Sequence, residues 1–362
     1  MKSLLGLYYT GTGNTLRGME AAAELFRKEG WSAELKAFPL PVSRRSRTLP
    51  AAGTGEASGP AQAPDLLLTG FPVLGFSAPV TVLRALRALP PGEGRPAAVF
   101  CFVGSEYSGG RIVRGWSGAA ALPVLRILRK RGYRAEFRGD ISYPANWTQM
   151  IPGPGEEKAL KMVEEGDREI REAVRNFLSG EAAPPVRKGL KHLPIRLVGF
   201  LFRRLGRPGL VRTFTADSRC TGCGICASRC PAGALVIKHG RPWWRLRCTD
   251  CNRCINICPV HAIQTSLVRL ILVPAVNLAA LVFVWPVSRV LAARYFPDLP
   301  PGVSGTVRTV LALALFTGFS FLQLGPLDGL LKVLERIPGL GRLFSRSFTR
   351  KFRRYTAPGF RG

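Results

Sequence analysis

The first half of the chain alternates short apolar runs with longer segments whose apolar residues recur at helical spacing. Lys2–Tyr9 is one such run, and others fall at Ser32–Phe38, Asp65–Phe71, Ala97–Val103 and Arg134–Ile141. Helical spacing fills Leu16–Glu29, and Leu160, Val163, Ile170, Val174 and Phe177 form a broken apolar stripe in Glu156–Leu178. Short strands alternating with amphipathic helices predict an α/β doubly wound parallel sheet covered on both faces. Gly180–Pro185 ends the pattern, so a first domain of residues 1–180 is expected.

The second half reads differently. In Val186–Arg212, Leu, Ile, Val and Phe alternate with Arg and Lys, which predicts a basic amphipathic linker over 181–212. Such a helix either lies on an anionic bilayer or packs its apolar face on the next domain. Leu270–Ser288 and Thr309–Leu327 follow, each nineteen residues without Asp, Glu, Lys, Arg or His. That length reaches across a bilayer, so a transmembrane hairpin is expected over 267–328, with Pro274 and Pro286 interrupting its first run. The alternative is a pair of buried or half-inserted helices. Ser43–Pro64, rich in Ala, Gly, Pro, Ser and Arg, is expected to be a surface insertion without chemistry.

Charge sharpens this division. Of the 362 residues, 52 are Lys or Arg and 23 Asp or Glu, and residues 181–362 hold 28 of the basic but only 6 of the acidic ones. A field of this kind attracts nucleic acid or an anionic membrane, and the apolar runs beside it, with no nucleic-acid motif, favour the membrane. Three arginines lie between the runs (Arg289–Arg308) against nine Lys and Arg in the basic tail 329–362. The positive-inside rule then keeps both chain ends, and any domains attached to them, on the cytoplasmic side of the cell membrane. With no titratable residue in the runs, neither an intramembrane proton path nor a bis-histidine haem has evident ligands.

The chemistry lies in the cysteines. C-x2-C-x2-C-x3-C-P occurs twice, as Cys220, Cys223, Cys226 and Cys230 and, 28 residues on, as Cys248, Cys251, Cys254 and Cys258. Three close thiolates plus a fourth before a proline is iron–sulfur spacing, the fourth cysteine serving the other cluster. One 4Fe-4S cluster would use Cys220, Cys223, Cys226 and Cys258, and the second Cys248, Cys251, Cys254 and Cys230. Zinc sites favour separated C-x2-C pairs, and a disulfide framework fits poorly in a long chain without a secretion signal. The ninth cysteine, Cys101, sits in a strand and reads as apolar filler, and His192, His239 and His261 read as ordinary polar residues.

A second candidate site follows the first strand. Thr10-Gly11-Thr12-Gly13-Asn14-Thr15 leads into a helix, where backbone N–H groups, hydroxyls and the helix's positive end can hold a phosphate. It lacks both the Gly-Lys-Ser/Thr ending of a triphosphate loop and the spacing of a dinucleotide loop. A plain Gly-rich turn is the alternative.

The paired cysteine motifs make residues 213–266 resemble the bacterial two-cluster ferredoxins, a small α+β fold. The loop TGTGNT resembles the FMN-phosphate loop of flavodoxins. With Phe71-Pro72-Val73, Gly104–Arg111 and Tyr143–Trp147 after later strands, the first half resembles the flavodoxin-like part of anaerobic flavodoxin–ferredoxin fusion proteins. The resemblance implies FMN beside two 4Fe-4S clusters, with Phe76 and Tyr107 placed to stack on the flavin ring. The expected function is membrane-associated electron transfer linking two-electron and one-electron redox partners, with a protein donor or acceptor, an anionic membrane and no nucleic acid as partners. The alternatives are a flavin-dependent reductase of a quinone or small substrate, and a flavin-free binding domain beside the clusters.

Overall fold

The computed structural model describes residues 1–38, 64–180, 193–335 and 337–362. Most of the expected insertion (residues 43–63) and the first part of the expected linker, including His192, lie outside them. The first domain contains strands β1 (Ser3–Tyr8), β2 (Ser32–Ala37), β3 (Leu66–Pro72), β4 (Pro96–Ser108), β5 (Arg111–Arg114) and β6 (Arg134–Pro144). Its helices are α1 (Asn14–Lys28), α2 (Val80–Arg87), α3 (Ala121–Lys130) and α4 (Glu156–Leu178). Parallel strands run in the order β2-β1-β3-β4-β6. This is the flavodoxin-like strand order, which opens a ligand crevice beyond the carboxyl ends of β1 and β3.

Burial on both faces explains the strand sequences. Leu66 and Leu68 pack with Met19, Phe26, Ile170 and Val174 of α1 and α4, while Leu67 packs with Val82, Leu86, Val124 and Leu128 of α2 and α3. Each buried leucine contributes roughly 1.5–3 kcal/mol. Cys101 lies fully buried in the second of these layers.

One expected loop is largely not a loop. β4 continues past Val103, turns at Gly109 and Gly110, and returns as β5, pairing Ser105–Ser108 with Arg114–Arg111. This stretch is polar and half-exposed, so it lacks the apolar signal by which a strand is read. The hairpin carries Tyr107 away from the crevice.

The chain then forms α5 (Leu193–Leu201), a wide π-type turn (Phe202–Gly206) and α6 (Arg207–Thr213) in place of one continuous amphipathic helix. This linker touches both neighbours. Phe202 lies on Gly75 and Gly199 on the Phe76 carbonyl, whereas Val211 enters the core of the small domain. That domain contains β7 (Phe214–Ala216), α7 (Ile225–Ser228), β8 (Leu235–Lys238), β9 (Arg241–Trp244), α8 (Arg253–Asn256) and β10 (Ile263–Thr265). Phe214 stacks on Trp244 at 5.5 Å in its core.

Two long helices follow, α9 (Leu267–Tyr295) and α10 (Pro301–Leu322), the latter continuing through a wide turn at Gln323–Leu327 into α11 (Asp328–Leu334). α9 runs helically through Pro274 and Pro286, and near the first of them the Val273 carbonyl accepts bonds from Asn277 (2.7 Å) and Gln323 (3.1 Å). Both helical stretches are long and apolar enough to cross a membrane, and only 11% and 0% of their most apolar windows is buried. Neither is therefore a core helix of the described chain. After α12 (Pro338–Phe344) the chain returns to the first domain.

Candidate redox-cofactor sites

Gly13 takes φ 103°, a left-handed conformation that turns the loop into α1, and its N–H bonds the Thr10 hydroxyl at 3.1 Å. The first amides of α1 have no intrahelical acceptors, and no acidic side chain stands in its first turn. Thr10, Gly11, Thr12, Asn14 and Thr15 line one end of a cleft. Pro72–Leu74, Phe102–Gly104 and Tyr143–Asn146 supply further walls, all at carboxyl ends of strands. Buried threonine hydroxyls, free amides and a positive helix end fit a phosphate, so the loop suits FMN.

The expected stacking residues are not brought to this cleft. Phe76 packs at 5.8 Å against Trp116, and Tyr107 donates to the Gly110 carbonyl under the Lys158 ammonium. Neither side chain lines the cleft.

The cysteines form two neighbourhoods. Cys226 lies beside Cys220, Cys258 and Cys223, while Cys251 and Cys254 lie beside Cys230, with Cys248 among them. The latter four line one small pocket, whose wall Cys226 also reaches. Among the described residues, no three His, Cys, Asp or Glu side chains draw close enough to grip a single ion. Burial and the neighbouring thiols push Cys226 up to about 12, and burial drives Cys248 and Cys254 well upward. Such thiols ionise together only when cations replace their protons, as iron does. Arg207, Arg219 and Arg354 stand near them, so part of the positive charge of the second half surrounds these thiols.

The two sites share a wall. A Cβ at Gly11 would meet the Cys251 carbonyl at 2.5 Å, so only glycine permits this approach. The Tyr9 hydroxyl lies 2.5 Å from that of Thr249, and Arg253 donates to the Gly11 (2.6 Å) and Thr10 (2.9 Å) carbonyls. The segment after α12 closes over the same loop. Ala357 N–H donates to the Thr12 carbonyl (2.7 Å), the Tyr355 hydroxyl to Asn14 (2.8 Å), and Phe360 packs on Gly13 and under Arg253. These contacts escaped the sequence, because they come from scattered side chains and backbone groups without periodicity.

The 4Fe-4S dicluster domain family matches residues 219–263. No curated protein matches the chain significantly. Among solved structures, the chain is similar to a flavodoxin from Pseudomonas aeruginosa (14% identity, 48% of this chain and 97% of that one, TM-score 0.31). It is also similar to Megasphaera elsdenii flavodoxin (14%, 48% and 98%, TM-score 0.28). An NAD(P)H:quinone oxidoreductase from Methanothermobacter marburgensis gives 14%, 49% and 98%, with TM-score 0.32. These likenesses are distant, and the fold assignment rests on the strand order. The chain thus joins a domain with the flavodoxin-like strand order to a 4Fe-4S dicluster domain.

Proposed function

We propose that the chain is a membrane-associated protein for electron transfer between FMN and two 4Fe-4S clusters, linking two-electron and one-electron redox partners. The observation that supports this most is the wall shared by Gly11 and Cys251, which sets the phosphate loop against the second cysteine set. When bound, FMN takes two electrons together and releases them singly, and each cluster carries one. The hydroxyls of Thr10, Thr12 and Thr15 and the amides opening α1 would bind the phosphate. Cys220, Cys223, Cys226 and Cys258 would hold one cluster, and Cys248, Cys251, Cys254 and Cys230 the other. Arg253 and the Tyr355–Phe360 segment fix the two modules to each other. The exposed apolar helices α9 and α10 support a membrane hairpin, and the arginine asymmetry supports cytoplasmic redox domains.

The test is anaerobic purification from solubilised membranes with flavin, iron and acid-labile sulfide measured per chain. About one FMN with eight irons and eight sulfides is expected. Full clusters without flavin would sink the two-to-one electron conversion, and quinone or small-substrate reduction without a protein acceptor would favour a reductase.

A further inference from the structure

Where the hairpin meets the small domain, three buried cations share two carboxylates. Arg212 bonds Asp328 at 2.7 Å, Arg269 contacts Asp328 and bonds Glu335 at 2.6 Å, and Lys332 stands 3.4 Å from Asp328. Arg212, Arg269, Asp328 and Lys332 are each at most 9% exposed. The cluster therefore carries one positive charge too many, and a buried charge is costly unless it is matched. The surplus falls on Lys332, whose buried ammonium has only a long 3.4 Å ion pair to Asp328.

Lys332 lines a cleft of about 590 Å³ between the β8–β9 hairpin and the α11–α12 segment. Its ammonium and that of Lys238 each lie 4.7 Å from the Trp243 ring. Arg241 and Arg342 add positive charge to the walls. The two carboxylates on the walls are already engaged, Asp217 by Arg219 and Glu335 by Arg269, each at 2.6 Å. An anion is what this cleft lacks.

Its position suggests which anion. Lys332 is on the turn of helix that continues α10, and Arg269 is in the first turn of α9, so the cleft lies level with the end of both apolar helices. We propose that the cleft holds the phosphate of an anionic lipid headgroup, with Lys332, Lys238 and Arg342 as its cations and the Trp243 ring as its apolar wall. This rests on the membrane reading above. Phosphate supplies the missing charge and acceptors for Lys332, and a lipid supplies it at the depth where the helices leave the hydrocarbon.

The test uses the full chain in zwitterionic detergent, with phosphatidylglycerol, phosphatidylcholine or inorganic phosphate added, and reads bound lipid by native mass spectrometry and the melting temperature. Wild type should retain about one phosphatidylglycerol and melt higher with it, phosphatidylcholine having no such effect. The exposed-residue double variant Lys238→Gln/Arg342→Gln should weaken retention about tenfold. Lys332→Met should abolish the lipid-dependent rise in melting temperature while keeping wild-type circular dichroism. Equal retention by wild type and the double variant would overturn the site, and displacement by inorganic phosphate at equal concentration would overturn the lipid as its source. Flotation with liposomes tests the membrane reading separately. A chain that fails to float yet retains phosphatidylglycerol in detergent refutes that reading and leaves the cleft.

Discussion

The two cysteine motifs are copies of one sequence, yet they occupy opposite surroundings. In the first, Cys223 is exposed and Ile225 is 39% exposed. In the second, the equivalent Cys251 presses on Gly11 and the equivalent Arg253 grips the Gly11 and Thr10 carbonyls. Gly222 and Gly224 hold left-handed backbone at φ 73° and 77°, and their counterparts Asp250 and Asn252 hold the same turn at φ 62° and 57°. Asp and Asn tolerate that region better than most residues but still at a cost. The second copy accepts strain to place polar side chains against the first domain. Asn252 accepts the Gln149 N–H at 2.9 Å, and the fully buried Asp250 carboxyl lies beside Trp147. A duplicated unit has thus become one exposed motif and one docking motif.

Asp250 offers the largest break of this comparison. Burial pushes its carboxyl from 3.8 up to about 8, against the pull of Arg207 and Trp147. The folded chain therefore binds this proton more tightly than the unfolded chain. Its stabilising contribution is complete below pH about 4 and is lost as pH rises toward about 8, a change on the order of 5 kcal/mol across the window. Asp250→Asn should match wild type best at or below pH about 4 and exceed it at pH 9 in chemical denaturation. Parallel pH profiles of the two would show that Asp250 carries no such burden. Gly222, lacking a side chain, adds no pH dependence in the first motif.

Arg253 comes next. Arg253→Ala leaves the Thr10 and Gly11 carbonyls without their donor and should cost about 2–3 kcal/mol. The equivalent Ile225→Ala should cost less than about 1 kcal/mol, since that side chain is partly in water. Equal losses in thermal denaturation would remove the distinction between a docking and an exposed motif.

These contrasts mark what the chain reveals in one dimension. The sheet was legible because strands buried on both faces read as runs such as Leu66-Leu67-Leu68 and Val99-Phe100-Cys101. The cysteine motifs were legible because their spacing is local, and α9 and α10 because length and apolarity suffice. The β4–β5 hairpin was not, being polar, and so the flavin-side placement of Tyr107 failed. Nor was the return of Tyr355–Phe360, where one contact is a backbone bond and the others join residues more than 100 positions apart. The docking role of the second motif did leave a trace. Glycine at 222 and 224 becomes Asp and Asn at 250 and 252, and replacing glycine in a tight ligand loop signals a side chain with a partner.

The subtlest effect tests that trace directly. Asn252→Gly relieves the left-handed strain but removes the acceptor for Gln149 N–H and the bond from its own side-chain amide to the Asp250 carbonyl at 2.9 Å. Gly224→Asn adds strain where a new Cβ would meet no atom nearer than Ile237 at 4.0 Å. The two terms oppose each other in Asn252→Gly, leaving a net loss of about 1 kcal/mol, because an unsatisfied buried amide costs more than the strain that Asn pays. Gly224→Asn should lose a similar amount through strain alone, since no facing domain offers its amide a partner. Combining the two exchanges glycine for asparagine between motifs at constant composition. If Asn252 is a docking residue, the double variant loses both amounts, and the residue-level protection of Gln149 N–H from hydrogen exchange falls with Asn252→Gly but not with Gly224→Asn. A neutral double variant with Gln149 still protected would mean that the glycine difference is drift between copies and not the mark of an interface.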